Sequence, residues 1–504
     1  MDISHWISHH AKWSPEKIAL HFEGAQISYQ QFEKEISQLS GGLVHQLGIK
    51  TGDRIAYLGE NSPEFLIILF ACARIGAIFV PLNARMTVVQ HRYYLENCEP
   101  KCLFIEDQFA LHAKACIDST SSIKMLFLEE SKNEDSCFRT LISDSPPVTV
   151  NELAPLSTPL LIAYTSGSTG LPKGAVISQE TLFYAALNAI KVAEMTSEDH
   201  ILTNLPMFHV GGLTVHTLPA LHIGASVTLH RLFDAEQTLL DFEKQRITVY
   251  LALPKISRKL STHKNWHSTD LSSLRLTQTG STIVPLSVMT SWTERNIPAQ
   301  QIYGLTEALP PAIGLPLAKS EDMAGSMGKQ TLYCDARIVD ENFNDVSPGE
   351  RGEIILKGLC VFSEYWKNPE ATKKAFTDGW FHTGDVGHVD DNGYLYMDDR
   401  IKNIIIVGSS NVYPADLEHI LSECDEISEA AVVGRPDDDL GEVPIVCVKL
   451  KPGRHMSKNQ VDQLFRSRLA VYQQPKEVIF VKSFPRTSLG KIQKNEVWEQ
   501  VQNL

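Results

Sequence analysis

An apolar run from Leu160 to Tyr164 leads directly into Thr165-Ser166-Gly167-Ser168-Thr169-Gly170-Leu171-Pro172-Lys173-Gly174, and a second apolar run begins at Ala175. A strand that ends in so many glycines and hydroxyls must turn sharply there. Glycines reach positive φ and let the backbone approach a ligand closely. Successive N–H groups in such a turn form a hollow for an anion, which hydroxyls and a lysine complete. A surface linker would account for the glycines and serines, but not for Lys173 or the flanking strand. Phosphate binding is the stronger reading. The stretch is not a Walker A loop, G-x-x-x-x-G-K-S/T. Gly170 is followed by Leu171-Pro172-Lys173, and the other Gly-Lys pair, Gly490-Lys491, precedes Ile492. A GTPase or AAA-type machine is therefore disfavoured.

At 504 residues the chain is too long for one hydrophobic core and should divide into domains. A net charge of −14 argues against a nucleic-acid partner, which would call for a basic excess. Nine cysteines are scattered without a C-x-x-C pair. Cys98 and Cys102 have no matching pair downstream, so the spacing predicts no zinc site and free thiols that suit a reducing cytosol. The N-terminus lacks the order of a signal peptide. The most apolar stretch, 65–80, is shorter than the roughly 20 residues that cross a bilayer. It reads as a buried helix turning at Gly76 into a strand. No transmembrane segment is expected; peripheral membrane contact and a homodimer stay open.

The opening third alternates helix and strand. Ser28 with Gln31 has the capping-box pattern, and Phe32, Ile36, Leu39, Leu43 and Leu47 follow at helical spacing. Strands are predicted over 54–59, 102–106, 124–129, 226–230 and 249–254, which implies parallel sheets covered by helices. Residues 330–400 are Gly- and Asp-rich with short strands. After Arg400 the pattern is strand, helix, strand, strand, helix, an α+β unit of ordinary domain size. The boundary is placed near 398–403, giving 1–400 and 401–504.

Further motifs carry chemistry. Tyr303-Gly304-Leu305-Thr306-Glu307 offers a ring, a hydroxyl and a carboxylate, a set suited to a nucleotide with magnesium, which prefers one or two carboxylates plus phosphate oxygens and water. Trp380 to Asp385 ends in a carboxylate after a glycine turn, able to hold two ribose hydroxyls or to make an Asx-turn. Asp399 to Glu418 spans the boundary, and Pro485 to Lys494 holds the Gly490-Lys491 pair. Pro206 to Gly212 contains a lone histidine, His209.

Five ordered motifs over residues 164 to 494 resemble the adenylate-forming (AMP-binding) superfamily throughout, most closely acyl-CoA synthetases of the bacterial fatty-acyl and feruloyl type. The resemblance implies an α/β fold: a large multi-layer αβαβα N-terminal domain with a small β-rich part at about 330–400, and a small mobile α+β lid. It implies a cytoplasmic ligase that uses ATP, Mg²⁺ and coenzyme A to activate a fatty or aromatic acid as acyl-adenylate and pass the acyl group to CoA. By resemblance Lys491 is the catalytic lysine of adenylation, where a positioned cation stabilises the charge at the attacked phosphorus. Thr306 meets the α-phosphate and Glu307 the Mg²⁺. Thr165, Ser166, Gly167, Ser168, Thr169, Gly170 and Lys173 cradle the other phosphates. Gly280, Ser281, Tyr303 and Gly304 belong to the nucleotide pocket, and Asp385 and Arg400 to the ribose. Lys402 is the hinge, the segment from Gly408 to Pro414 faces CoA, and His209 lines the acyl tunnel and weighs against an amino-acid substrate. Many relatives carry an acidic residue where Asn403 stands and a glycine where Ser409 stands. A 2-succinylbenzoate-type ligase and an enzyme that loads a carrier protein stay open.

Overall fold

The computed structural model describes residues 2–502 apart from 118–121, 130–136, 144, 150–154, 166–171, 281–283, 285, 321, 324, 409, 438, 467 and 488–489. Local signals in the sequence set many of its elements. Ser28 caps the helix Tyr29–His45, its hydroxyl accepting from Gln31 N at 3.2 Å. Gln31 Nε2 turns to Glu35 rather than back to the cap, so only half of the expected capping box forms. Phe32, Ile36, Leu39 and Leu43 are fully buried along this helix, while Leu47 lies in the turn beyond it. Ser62 caps the helix Pro63–Ile75, which ends at Gly76 with φ 74°. Glycine reaches that left-handed region without a Cβ clash, and the chain then enters the strand Ile78–Leu82.

The residues gather in two compact units, Met1–Ala336 with Leu356–Phe381, and Arg337–Ile355 with His382–Leu504. The first holds a nine-stranded and a seven-stranded sheet. In the nine-stranded sheet Ala299–Tyr303, Leu276–Thr279, Val249–Leu251, His200–Thr203, Ser226–Leu229 and Ile18–Phe22 run parallel in that spatial order. In the seven-stranded sheet Pro159–Thr165, Ile78–Leu82, Arg54–Leu58, Cys102–Ile105 and Lys124–Phe127 are parallel. Lys173–Ser178 and Glu364–Tyr365 add an antiparallel edge. Helices tie the layers through buried polar groups. Gln179 accepts from Ile3 N at 2.7 Å and donates to Ala73 O at 3.0 Å, and buried Arg74 pairs with Glu33 at 2.7 Å and donates to Ser4 Oγ. A buried guanidinium needs such partners, because leaving it unpaired would cost its hydration.

In the second unit a five-stranded sheet includes Ile405–Val407, Gly441–Leu450, Ile427–Asp437 and Glu477–Phe480. Side chains alternate across it as strand geometry requires. Val432, Val446 and Val448 pack with Leu417, Ile420, Val461 and Phe465 from the helices Pro414–Ser422 and Lys458–Arg466. Ala431, Val433, Ile445 and Cys447 pack with Val497 and Val501 of Lys494–Gln502 on the opposite face. Over 330–400 the chain is mostly strands, as its composition suggests, with the helix Pro369–Ala375 among them, and its residues divide between the two units.

Candidate active site

Parallel strands share a carboxyl edge, and open α/β sheets bind ligands there. In the first unit that edge collects two of the motifs and Gly280. Leu276–Thr279 leads to Gly280, Ala299–Tyr303 to Gly304, and His200–Thr203 to the segment holding His209. A buried polar row holds these strands in register. His216 and Gln278 Oε1 are 2.7 Å apart, Gln278 donates to Gln300, and Gln300 Nε2 donates to Val192 O at 2.9 Å. Burial lowers the His216 imidazole to about 4, so it stays neutral and its Nε2–H can serve the Gln278 amide oxygen. The glycines are where backbone runs against backbone: a Cβ on Gly280 would meet Ile302 O at 2.5 Å, and one on Gly304 would meet Pro310 Cα at 2.6 Å.

Asn61 fixes the segment before His209, accepting from Met207 N at 2.8 Å and donating to Leu205 O at 2.9 Å. His209 is half-buried, its ring 4.6 Å from that of Phe208. Gly212 packs against Pro206 O, whereas nothing lies within 4 Å of where a Gly211 Cβ would be. Of these two small residues, one serves backbone packing and the other faces open space.

The hairpin of Pro159–Thr165 and Lys173–Ser178 sets Thr165 opposite Lys173, with Thr165 Oγ1 donating to Lys173 O at 3.4 Å. Ser166, Gly167, Ser168, Thr169 and Gly170 between them, and Ser281, lie outside the described residues. Both ends of the turn rest on the helix Val88–Cys98. Tyr164 stacks on Tyr94 at 4.2 Å and donates to Asn97 Oδ1 at 2.6 Å, while Tyr93 donates to Pro172 O at 3.1 Å.

Tyr365 joins the glycine-rich motif to the Tyr303–Glu307 motif. Lys173 Nζ lies 5.0 Å from its ring centroid, a cation–π distance, and its hydroxyl donates to Glu307 Oε1 at 2.9 Å. The segment carrying Tyr365 is held as a strand: Tyr365 pairs with Ala175, Trp366 N donates to Gly174 O at 2.7 Å, and Phe362 N donates to Glu307 O at 2.7 Å. Thr306 is half-buried and Tyr303 buried. Sequence reasoning missed Tyr365. Its only local signal is an aromatic pair, Tyr365-Trp366, in a polar stretch.

The remaining expected residues lie in the second unit. Leu395–Arg400 pairs antiparallel with Trp380–Val389, setting Arg400 opposite Asp385. Arg400 Nε is 2.8 Å from Oδ1 of Asp385, which is 1 % exposed. Lys402 follows in the turn Ile401–Asn403; burial, then Arg400, lower its ammonium, and Asp385 opposes them. Burial also pulls Lys491 down to about 8, helped by the charges of Arg400 and Lys402 and opposed by Asp385. Three cations therefore act on one buried carboxylate. Lys491 sits on a tight turn in which Gly490 has φ 85° and Thr487 Oγ1 accepts from Lys491 N at 3.2 Å. Arg486 braces that turn by donating to Gly490 O at 2.7 Å and pairing with Glu429. Asn403 donates to Asp399 Oδ1 at 2.9 Å, a neutral donor that satisfies buried Asp399 where a carboxylate would repel it. Gly408 has φ 63° and donates to Leu440 O at 2.6 Å. Ser409 lies outside the described residues. Among the described residues no helix is long and apolar enough to cross a membrane.

The model of the AMP-binding enzyme family matches residues 7–366, and that of the AMP-binding enzyme C-terminal domain matches residues 416–491. The chain is 42% identical over 503 residues to the indoleacetate–CoA ligase of Aromatoleum aromaticum, covering 99% of this chain and 98% of that one. It is 35% identical over 492 residues to the feruloyl-CoA synthase of an Amycolatopsis species, covering 98% and 97%. The o-succinylbenzoate CoA synthetase (MenE) of Bacillus subtilis, solved with its acyl-adenylate intermediate, superimposes with a TM-score of 0.87 at 26% identity, covering 98% of this chain and 97% of that one. The same protein has been solved with ATP and a magnesium ion, with a TM-score of 0.86 at 26% identity and coverage of 98% and 99%.

Proposed function

This chain belongs to the AMP-binding enzymes, and from that premise we propose that it is an ATP-dependent acid–CoA ligase acting on an aromatic carboxylic acid. A carboxylate oxygen of the acid attacks the α-phosphorus of ATP, the bond to the β-phosphate bridge breaks, and pyrophosphate leaves. The sulfur of coenzyme A then attacks the acyl carbon, the bond to AMP breaks, and the thiol proton passes to solvent. The observation that carries this reading is the cluster of Arg400, Lys402 and Lys491 around Asp385, an excess of positive charge in a partly dry setting. Such a cluster is completed by a polyanion, and a desolvated cation stabilises developing negative charge better than a hydrated one.

In this reading Lys491 serves the first step at the attacked phosphorus. Thr306 meets the α-phosphate, and the turn Thr165–Lys173 holds the departing phosphates. Tyr303, Gly304, Gly280 and Ser281 line the base, and Asp385 with Arg400 takes the ribose. His209 borders the acyl group. Glu307 suits a magnesium ion, being a hard carboxylate donor whose Oε1 is oriented by the Tyr365 phenol. When bound, the ion would neutralise phosphate charge. In the same reading Lys402 is the hinge residue, and the segment from Gly408 faces CoA in the second step. All nine cysteines are free, which fits a cytosolic setting.

The indoleacetate and feruloyl relatives support an aromatic acid, as does the open space at Gly211 beside Phe208 and His209. The test is a panel of arylacetic, arylpropenoic, succinylbenzoic and fatty acids assayed for AMP release with free CoA. Arylacetic or arylpropenoic acids should show the highest kcat/KM. A preference for long-chain fatty acids would overturn the aromatic assignment, and AMP release that needs a phosphopantetheine carrier would overturn the acceptor.

A further inference from the structure

The fold brings together three groups that the reaction above does not use. His91 lies on the helix Val88–Cys98, and His112 and Cys116 lie one turn apart on the helix Ala110–Cys116. His91 Nδ1 is 2.7 Å from His112 Nε2, and the ligand atoms of His91, His112 and Cys116 all lie within 4.8 Å of one another. His91 and Cys116 are buried, while His112 is half-buried and so reachable from solvent. The far nitrogen of His91, Nε2, sits 3.0 Å from Asn83 O. A carbonyl can only accept, so Nε2 carries the proton and the Nδ1 lone pair points into the cluster. A backbone carbonyl behind the imidazole is the support that metal-bound histidines ordinarily have, because it fixes both tautomer and ring orientation.

We propose that His91, His112 and Cys116 form a site for a borderline-soft divalent transition metal ion of the zinc class. Two imidazole nitrogens and a thiolate are the donors such ions prefer, and a set of three leaves the fourth tetrahedral position to solvent. Magnesium and calcium, which take oxygen, are excluded by the same donor set. Zn–N bonds of about 2.0–2.1 Å put two tetrahedral nitrogens about 3.3 Å apart. The imidazoles must therefore separate by roughly 0.6 Å, which half-buried His112 on its short helix can supply. Without metal, His112 Nε2–H donates to His91 Nδ1. On binding, that proton moves to His112 Nδ1, and the Cys116 thiol proton leaves to solvent as the sulfur–metal bond forms. The absence of a C-x-x-C pair, read from spacing as no zinc site, does not bear on this arrangement, since its ligands come from two helices.

The location gives the site a consequence. The helix that carries His91 also carries Tyr93, Tyr94 and Asn97, on which both ends of the glycine-rich turn rest. A metal here braces that helix against its neighbour one turn from Tyr94, whose ring lies 6.5 Å from that of His91.

The test is equilibrium dialysis of the full-length, metal-free protein against Zn²⁺, with Co²⁺ as an optical probe. One equivalent of Zn²⁺ should be held by the wild type and weakened about 100-fold or more in His112→Ala and in Cys116→Ser. Co²⁺ should give a thiolate-to-metal charge-transfer band that Cys116→Ser loses. Unfolding by circular dichroism should show both variants folded without metal, and Zn²⁺ should raise the Tm of the wild type alone. The proposal is overturned if wild type and His112→Ala bind Zn²⁺ equally, or if the Co²⁺ complex of the wild type lacks the thiolate band. The Co²⁺ spectrum needs no variant, so it decides the matter even where a substitution fails to fold.

Discussion

The two groups of site residues balance their charges in opposite ways. In the first unit Lys173 and Glu307 are one cation and one anion, each held by the same neutral side chain: Lys173 over the ring of Tyr365, Glu307 at its hydroxyl. In the second unit Arg400 pairs with Asp385 while Lys402 and Lys491 feel the same charges, and burial, helped by Arg400 and Lys402, brings Lys491 down to about 8. The first group is specified by geometry and is electrically near neutral without a ligand. The second is under-compensated, and an anionic ligand relieves it. Groups with perturbed ionisation tend to mark functional sites because the same desolvation that costs stability sharpens electrostatic catalysis.

Breaking the under-compensated group should have the largest effect. Lys491→Ala is expected to slow acyl-adenylate formation by about 10²–10³-fold or more, measured as pyrophosphate release, while thioester formation from supplied acyl-adenylate stays within a few fold. Unchanged pyrophosphate release would remove Lys491 from the reaction. Glu307→Gln attacks the balanced group and should cost about 10²-fold, with a raised Mg²⁺ requirement; an unaltered Mg²⁺ titration would argue that the carboxylate holds no ion. Tyr365→Phe keeps the ring over Lys173 and deletes only the bond to Glu307. A hydrogen bond to a charged group is worth about 1.5–3 kcal/mol, so a loss of roughly 10- to 100-fold is expected, concentrated in Mg²⁺ dependence. Loss in Tyr365→Phe equal to that in Tyr365→Ala would mean the ring contributes nothing.

The smallest effect is a pH dependence, and it separates the two groups. In the proposed reaction Lys491 acts protonated, so the adenylation rate in the absence of saturating ATP should fall as pH rises through about 8. Stability moves the other way. The folded ionisation of Lys491 lies below the unfolded value, so between about 8 and 10.5 the unfolded chain binds more protons and this residue's penalty on folding diminishes as pH rises. Below that window the penalty is full, and Lys491→Met should raise the Tm of the ligand-free protein at neutral pH. A Tm that is unchanged or lowered would show that the lysine is not under strain.

Much of this was legible along the chain. The helix from Pro63 to a left-handed Gly76, the alternation of Val432 and Val446 against Ala431 and Ile445, and the strand before Thr165 all follow from local periodicity and glycine placement. Other elements were hidden because their polar residues break the pattern. The strand Leu276–Thr279 is Leu-Thr-Gln-Thr and wholly buried, and its glutamine is tolerated there because His216 and Gln300 satisfy it. Periodicity cannot reveal a polar residue whose partner lies on another strand.

By itself the sequence determined the parallel α/β architecture, the ordered motifs and most of the chemistry-bearing side chains, because each depends on residues within a turn or two of one another. Tertiary structure alone decided which of them meet. Pairing of Glu364–Tyr365 onto Lys173–Ser178 places a tyrosine hydroxyl on a glutamate 58 residues away. Packing of two helices sets His91 against His112 and Cys116, and the antiparallel register of Asp385 with Arg400 builds the cationic cluster. A side chain's local pattern states which face it is on. Only the packing of distant segments states what that face will touch, and the ionisation of Lys491 follows from that contact.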